Sequence, residues 1–224
     1  MHLPSLRNRL PGRATRRCAA YVVVATLAMS CLAPQAQAAD AGGLAKLLTD
    51  AMRARIVVSV DKSGKTIPAA HCRHAPGGCD QRLSVFAHYL VTAAQNYSID
   101  PWLMAAMAFK ESGFNPFALG SVGELGILQI NPGRKDASQV RFIRDEWYRR
   151  KCRRQPGACQ QEVVTHAAQV LARSLEKCGG DVKEALGAYN TGRCGGNDRY
   201  ANRILAERAE LQRAAGLAPS ADRS

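Results

Sequence analysis

The chain has 224 residues, 46% of them hydrophobic and 22% charged, with 31 Lys and Arg against 18 Asp and Glu and a formal net charge of +13. Its apolar content excludes a disordered polyelectrolyte, and its length suits one globular domain with additions. The excess of cations favours an anionic partner or a solvated surface, and it says nothing about fold.

The first 38 residues carry Arg7, Arg9, Arg13, Arg16 and Arg17 without an acid, then an apolar run over residues 19–33, then Ala36-Gln37-Ala38. This is the layout of a secretory signal peptide with a small-x-small cleavage site, so cleavage is expected after Ala38. The apolar run falls short of the about 20 residues that a membrane span needs, so the mature chain is expected to have no integral span. Cys31 makes a poor lipoprotein acceptor, and Arg16-Arg17 a poor twin-arginine signal. Loss of the leader's five Arg takes the 31 basic residues to 26 against 18 acidic ones, a net charge of +8. The expected location is periplasmic or extracellular, where peptidoglycan with its peptide carboxylates suits a cationic surface. Nucleic acid suits the charge as well, but no nucleic-acid-binding motif accompanies it, and it is not expected as a partner.

Six of the eight Cys lie beyond the leader: Cys72, Cys79, Cys152, Cys159, Cys178 and Cys194. An even count in an exported chain points to disulfides. CRHAPGGC and CRRQPGAC each enclose a Pro-Gly turn, which suggests Cys72–Cys79 and Cys152–Cys159 as local loops and leaves Cys178–Cys194. A zinc site from His71, Cys72, His74 and Cys79 competes, against the preference of zinc for Cys pairs two to four residues apart.

In chain order, Leu44, Leu47 and Leu48 suggest a short helix over residues 39–50. The β-branched residues 55–60, the Asp61-Lys62-Ser63-Gly64 turn and Lys65-Thr66-Ile67 predict a small hairpin. Leu83, Phe86, Leu90, Ala93 and Tyr97 recur at helical spacing. Asp100 as N-cap and Pro101 at the first helical position open a second helix over residues 101–112. Val140, Ile143 and Trp147 space a third, and its cluster Arg149, Arg150, Lys151, Arg153 and Arg154 is a solvated face or a contact for wall carboxylates. Val163, Ala167, Val170, Leu171 and Leu175 mark a long helix that stops at Cys178-Gly179-Gly180. Asp181 and Glu184 open a short one through Tyr189, an amphipathic segment covers residues 198–211, and the chain frays from Ala214.

The second helix carries the informative feature. Helical spacing puts Glu111 on the face of Met104 and Met107, an acid at the end of an apolar stripe. Gly113 ends the helix, Asn115-Pro116 turns the chain, and Gly120, Gly123 and Gly126 keep the next segment close to its own backbone up to Ile127-Leu128-Gln129-Ile130. A partly desolvated Glu would then face a Gly-rich wall bearing a single amide. By position alone, the reading of Glu111 as a helix-end acid in solvent would prevail.

ESGFNPFALG, GELGILQINP and, downstream, ALGAYNTG resemble the successive motifs of lytic transglycosylases with a soluble-lytic-transglycosylase-type catalytic domain, within the lysozyme-like superfamily; the resemblance covers residues 83–195. It implies a mainly α, lysozyme-like domain over residues 81–215, after an extension over residues 39–80 with the hairpin and before a flexible tail over residues 216–224. It implies an enzyme needing no metal or other cofactor, in which Glu111 is the catalytic acid and then the base, and peptidoglycan glycan strands are the substrate. Gln129, Tyr189 and Asn190 take substrate-binding places, with Gly126, Leu128 and Ser121 beside them, and the Tyr hydroxyl is expected near the catalytic Glu or the sugar. Ser112 reads as a helix-end hydrogen-bonding group, since no His stands in relation to it.

Two positions depart from the family pattern: Gly120 stands where a Ser often contacts the N-acetyl group, with Ser121 next to it, and Glu124 stands where a small Ala is common. The ALG…G…QIN wording is closer to the small transglycosylases that accompany secretion, conjugation and pilus machines, which implies such an apparatus as a partner. Two other functions remain open: a goose-type hydrolytic lysozyme with Glu124 or another acid positioning water, and a non-catalytic wall-binding or secretion-assembly module.

Overall fold

A computed structural model describes residues 33–220, with side chains from residue 41. Most of the expected signal peptide lies outside the described residues. The chain divides into Met1–Ala36 and Gln37–Ser224, and the second unit carries the fold.

Helix α1, Ala33–Arg55, runs past its leucines at its C-terminal end, where Ala51 and Met52 are fully buried beside Leu48 and extend the apolar stripe by a turn. Its continuation is the expected hairpin, β1 (Val57–Val60) antiparallel to β2 (Thr66–Pro68). Asp61 accepts from the backbone of Ser63 and Lys65 and from the Ser63 hydroxyl, which fixes the turn. A short helix α2 (Ala70–Arg73) leads to α3 (Cys79–Asn96), whose Leu83, Phe86 and Leu90 have no exposed surface.

Helix α4, Pro101–Ser112, starts as expected: the Asp100 carboxylate accepts from the Trp102 backbone at 2.8 Å, and Pro101 needs no partner. Residues 102–108 are all buried, which makes α4 the central helix of the core. Gly113 ends it in the left-handed region at φ 59°.

The predicted basic helix is two helices, α5 (Arg141–Arg144) and α6 (Glu146–Cys152), after a 3-10 turn over Lys135–Gln139. Two acids cause the break. Asp145 caps α6 by accepting from the Tyr148 backbone at 2.9 Å, and Glu162 accepts from the Arg141 and Phe142 backbones at 2.8 Å each. Trp147 consequently points outward and is 59% exposed.

Helix α7 (Pro156–Lys177) packs on α3 and on α8 (Val182–Thr191), and α9 (Asp198–Ala214) packs on α4 and α8. Beyond α9 the chain turns back instead of fraying at once: Ser220 exchanges hydrogen bonds with Gln212 at 2.7 and 2.9 Å. The described disulfides are Cys72–Cys79, Cys152–Cys159 and Cys178–Cys194, so the four candidate zinc ligands are not a thiolate set. Among the described residues, no helix is long and apolar enough to cross a membrane.

Candidate active site

Met104 and Met107 on the inner face of α4 are fully buried, and the same face delivers Glu111, half-buried, into a cleft of about 490 Å³. Two left-handed residues in succession, Gly113 and Phe114 (φ 59° and 62°), reverse the chain directly after it. A Phe at positive φ costs about 1–3 kcal/mol and persists only where packing over-determines it; Phe114 has no exposed surface and lies 5.5 Å from the Phe109 ring. Ser112 joins helix to wall, its hydroxyl serving the Ala108 carbonyl at 3.0 Å and the Ile127 carbonyl at 2.9 Å.

The opposite wall is residues 119–130, a small irregular β element in which Leu125 bridges Leu119 and Ile130. The buried amide of Gln160 on α7 supports it from behind, accepting from the Ile127 backbone at 3.0 Å and donating to the Pro116 carbonyl at 3.4 Å. Gln129 sits at φ 45°, held there by its own Nε2, which donates to the Ala118 and Gly126 carbonyls at 3.1 and 2.9 Å. Both amide hydrogens are thereby committed, and Gln129 presents its Oε1 to the cleft as an acceptor.

The Glu111 carboxyl is held above its ordinary pKa. Burial is the principal cause, the Glu124 charge adds to it, and a hydrogen bond from Tyr200 and the Arg203 charge oppose it. Tyr200, on the first turn of α9, donates to Glu111 Oε1 at 2.6 Å. Its own pKa is pushed well up by burial and by Glu111, so it stays a donor.

Several expected site residues take other places. The Tyr189 hydroxyl donates to the Leu128 carbonyl at 3.2 Å, and the phenol on Glu111 is that of Tyr200. Tyr189 is nevertheless close enough for Glu111 to help burial raise its pKa, and it lines the cleft. Leu128 offers no side chain to a substrate, since that side chain is fully buried and only its carbonyl serves the site. Gly126 faces the core: at φ 82°, a Cβ there would meet Gln160 Oε1 at 3.0 Å and Val163 Cγ1 at 3.1 Å. Asn190 lines the cleft and accepts from Asn197, the cap of α9, at 2.8 Å, which couples the end of α8 to the turn that carries Tyr200.

Ser121 lines the cleft and is exposed. The reason for Gly120 is now visible. A Cβ there would lie 2.2 Å from Glu124 Oε2 and 2.7 Å from Gln129 Oε1, so the large acid at 124 occupies the space that a side chain at 120 would need. Glu124 Oε2 is fixed by the Val122 backbone at 3.1 Å.

Tyr200 and Gln160 were not singled out from the sequence. Tyr200 opens the stripe Tyr200, Ile204, Glu207, Leu211 on α9, and a hydroxyl at the head of an apolar stripe calls for a partner. Deeper in that stripe Glu207, 2% exposed, joins Arg55 of α1 (2.6 and 3.0 Å) to Lys110 of α4 (2.9 Å). The sequence model of one family, described as Transglycosylase SLT domain, matches residues 88–209, more than half of the chain.

Proposed function

Since this chain belongs to the transglycosylase SLT domain family, with its lysozyme-like fold and its peptidoglycan substrate, we propose that it cleaves the β-1,4 bond between N-acetylmuramic acid and N-acetylglucosamine and closes the muramoyl unit into a 1,6-anhydro ring. The observation that carries this is a single desolvated carboxyl, Glu111, held by Tyr200 at the side of a cleft large enough for sugars.

A raised pKa keeps Glu111 protonated to higher pH, as a general acid requires. It gives its proton to the glycosidic oxygen, the bond from that oxygen to muramoyl C1 breaks with its electron pair on the leaving sugar, and positive charge develops at C1. The carboxylate left behind is stabilised by the Tyr200 donor, and the acetamido group of the substrate shares the charge at C1. Glu111 then takes the proton of the muramoyl 6-hydroxyl while that oxygen bonds to C1. One proton leaves the carboxyl and one returns, and no water is consumed.

Glu124, in the same cleft, favours one competing outcome, in which its carboxylate orients a water molecule and the product is a reducing sugar. Mass spectrometry of the fragments released from purified sacculi separates the two. Anhydromuramoyl ends are expected, together with loss of all release in Glu111→Gln; reducing ends would transfer the chain to the hydrolases. Export, with action in the periplasm or beyond, accompanies this function and is supported by the Arg-rich leader and the three disulfides. A secretion, conjugation or pilus apparatus is the proposed partner class, supported by the wording of the ALG…QIN motifs.

A further inference from the structure

Arg55, the last residue of α1, lies before the stretch that the family model matches, yet it grips one residue of α9 and covers one of α4. Its Nε donates to Glu207 Oε1 at 2.6 Å and its Nη2 to Oε2 at 3.0 Å, a two-toothed grip that fixes the plane of the carboxylate as well as its place. The same guanidinium lies 5.0 Å from the centre of the Phe109 ring. Phe109 stands two residues before Glu111 and meets Phe114, just past the turn that follows Glu111.

Helices α4 and α9 run antiparallel, since Tyr200 at the start of α9 meets Glu111 at the end of α4, and Arg208 further along α9 meets Asp100, the cap of α4, at 2.6 Å. Glu207 follows Tyr200 by about two turns on the same face, and its Oε2 also takes Lys110, the neighbour of Glu111, at 2.9 Å. A helix moves as one body over two turns, so a slip of α9 along α4 that frees Glu207 carries Tyr200 with it. A hydroxyl–carboxylate bond extends only to about 3.0 Å, so a slip of about 1 Å breaks the 2.6 Å bond to Glu111. Arg208 holds by one nitrogen at the end of a long side chain, whereas Glu207 is short, 1% exposed and gripped at both oxygens. Without Arg55, Oε1 of Glu207 is left buried with no donor among the described residues, which draws the carboxylate toward water and α9 out of register.

We propose that Arg55, acting through Glu207, is a positioning residue for the catalytic acid: it sets the register of α9 on α4 and so holds the Tyr200 hydroxyl on Glu111. The segment before the matched domain thereby belongs to the working site. The groups that act on the Glu111 carboxyl are Tyr200 and Arg203 of α9 and Glu124 of the wall, and Arg55 is not among them, so its influence runs through the helices and not through its own charge. The effect on turnover rests on Glu111 being the acid of the proposed reaction; the effect on its titration does not.

The test is a cycle of Arg55→Met and Tyr200→Phe, read by the titration of Glu111 in carboxyl-labelled protein by carbon NMR, with its signal identified as the one missing from Glu111→Gln. Loss of the Tyr200 bond raises the Glu111 pKa. Arg55→Met is therefore expected to move the titration up by about half a pH unit where Tyr200 is present, and not at all in Tyr200→Phe. Arg55→Lys keeps the charge without the fork and is expected to give a smaller shift of the same sign; if Arg55→Met does not fold, the same cycle with Arg55→Lys decides. An unchanged titration, or an equal shift in both backgrounds, which is what a direct charge effect gives, overturns the proposal. Turnover of soluble peptidoglycan strands is followed alongside, with kcat expected to fall about fivefold in Arg55→Met, KM to stay in place and no further fall to occur in Tyr200→Phe. Reducing ends with the titration coupling intact reject the proposed reaction and keep the positioning role, whereas anhydro ends without the coupling do the reverse.

Discussion

The Tyr200 hydroxyl donates to Glu111 Oε1 at 2.6 Å across 89 residues of sequence, and this bond opposes the rise in pKa that burial imposes on the carboxyl. Tyr200→Phe removes the opposing influence, so the pKa of Glu111 rises further. The protonated acid then persists to higher pH, and the alkaline limb of the pH–rate profile is expected to shift upward. A limb that stays in place would show that Tyr200 does not set the protonation of Glu111.

Glu124 acts in the other sense. Its charge helps to raise the Glu111 pKa, so Glu124→Gln is expected to shift the alkaline limb to lower pH, with only a modest loss of rate at its optimum. A loss as complete as that of Glu111→Gln would make Glu124 a second catalytic acid.

Gly120 and Glu124 share one volume. Gly120→Ala places a Cβ 2.2 Å from Glu124 Oε2 and forces that side chain off the Val122 backbone. The two substitutions Gly120→Ala and Glu124→Ala are therefore expected to be non-additive, with a coupling of about 0.5–3 kcal/mol in denaturant unfolding, Glu124→Ala relieving most of the Gly120→Ala cost. Additive effects would show that the two residues do not compete for space.

Much of this architecture was legible in the residues. The Asp100-Pro101 start, the Gly113 stop and the stripe ending at Glu111 are local signals, because a cap or a helical face is defined by neighbours within about a turn. The partner of a buried hydroxyl or acid is not local. Tyr200 and Glu207 showed helical period, but nothing near them in sequence names Glu111, Arg55 or Lys110. The recognised motifs stopped at Gly195, short of α9, and the acid-driven break between α5 and α6 is set by Glu162 some 20 residues away. Tyr189, expected near Glu111 or the sugar, does line the cleft near Glu111, but its hydroxyl bonds the Leu128 carbonyl and the bond to Glu111 comes from Tyr200, because a motif fixes which residue lines a cleft and leaves open which atom it offers.

Raising the Glu111 pKa has a cost in stability. The folded chain binds this proton more tightly than the unfolded chain, so the contribution to stability is complete below the ordinary carboxyl value of about 4.3 and is lost as pH rises through the higher folded value. Glu111→Gln keeps an acceptor for Tyr200 and removes the charge, so it is expected to melt above the parent near neutral pH and level with it in acid. Equal melting at both would show that the carboxylate is well solvated.

Glu207 is the shared anion of α1, α4 and α9. Its side chain is 1% exposed, whereas those of Arg55 and Lys110 are 34% and 26% exposed and can turn to solvent. Glu207→Ala is expected to destabilise the fold by about 3 kcal/mol, at the low end for breaking a buried pair, as read by denaturant unfolding. A loss below about 1 kcal/mol would show that apolar packing alone joins the extension to the helix that carries Glu111.

Digestion of purified sacculi in heavy-oxygen water, with mass analysis of the released ends, tests the role of Glu111 most directly. Ring closure by the muramoyl 6-hydroxyl predicts anhydro ends free of solvent oxygen from the parent and no release from Glu111→Gln. Heavy oxygen at reducing ends, or release by the variant, would contradict it.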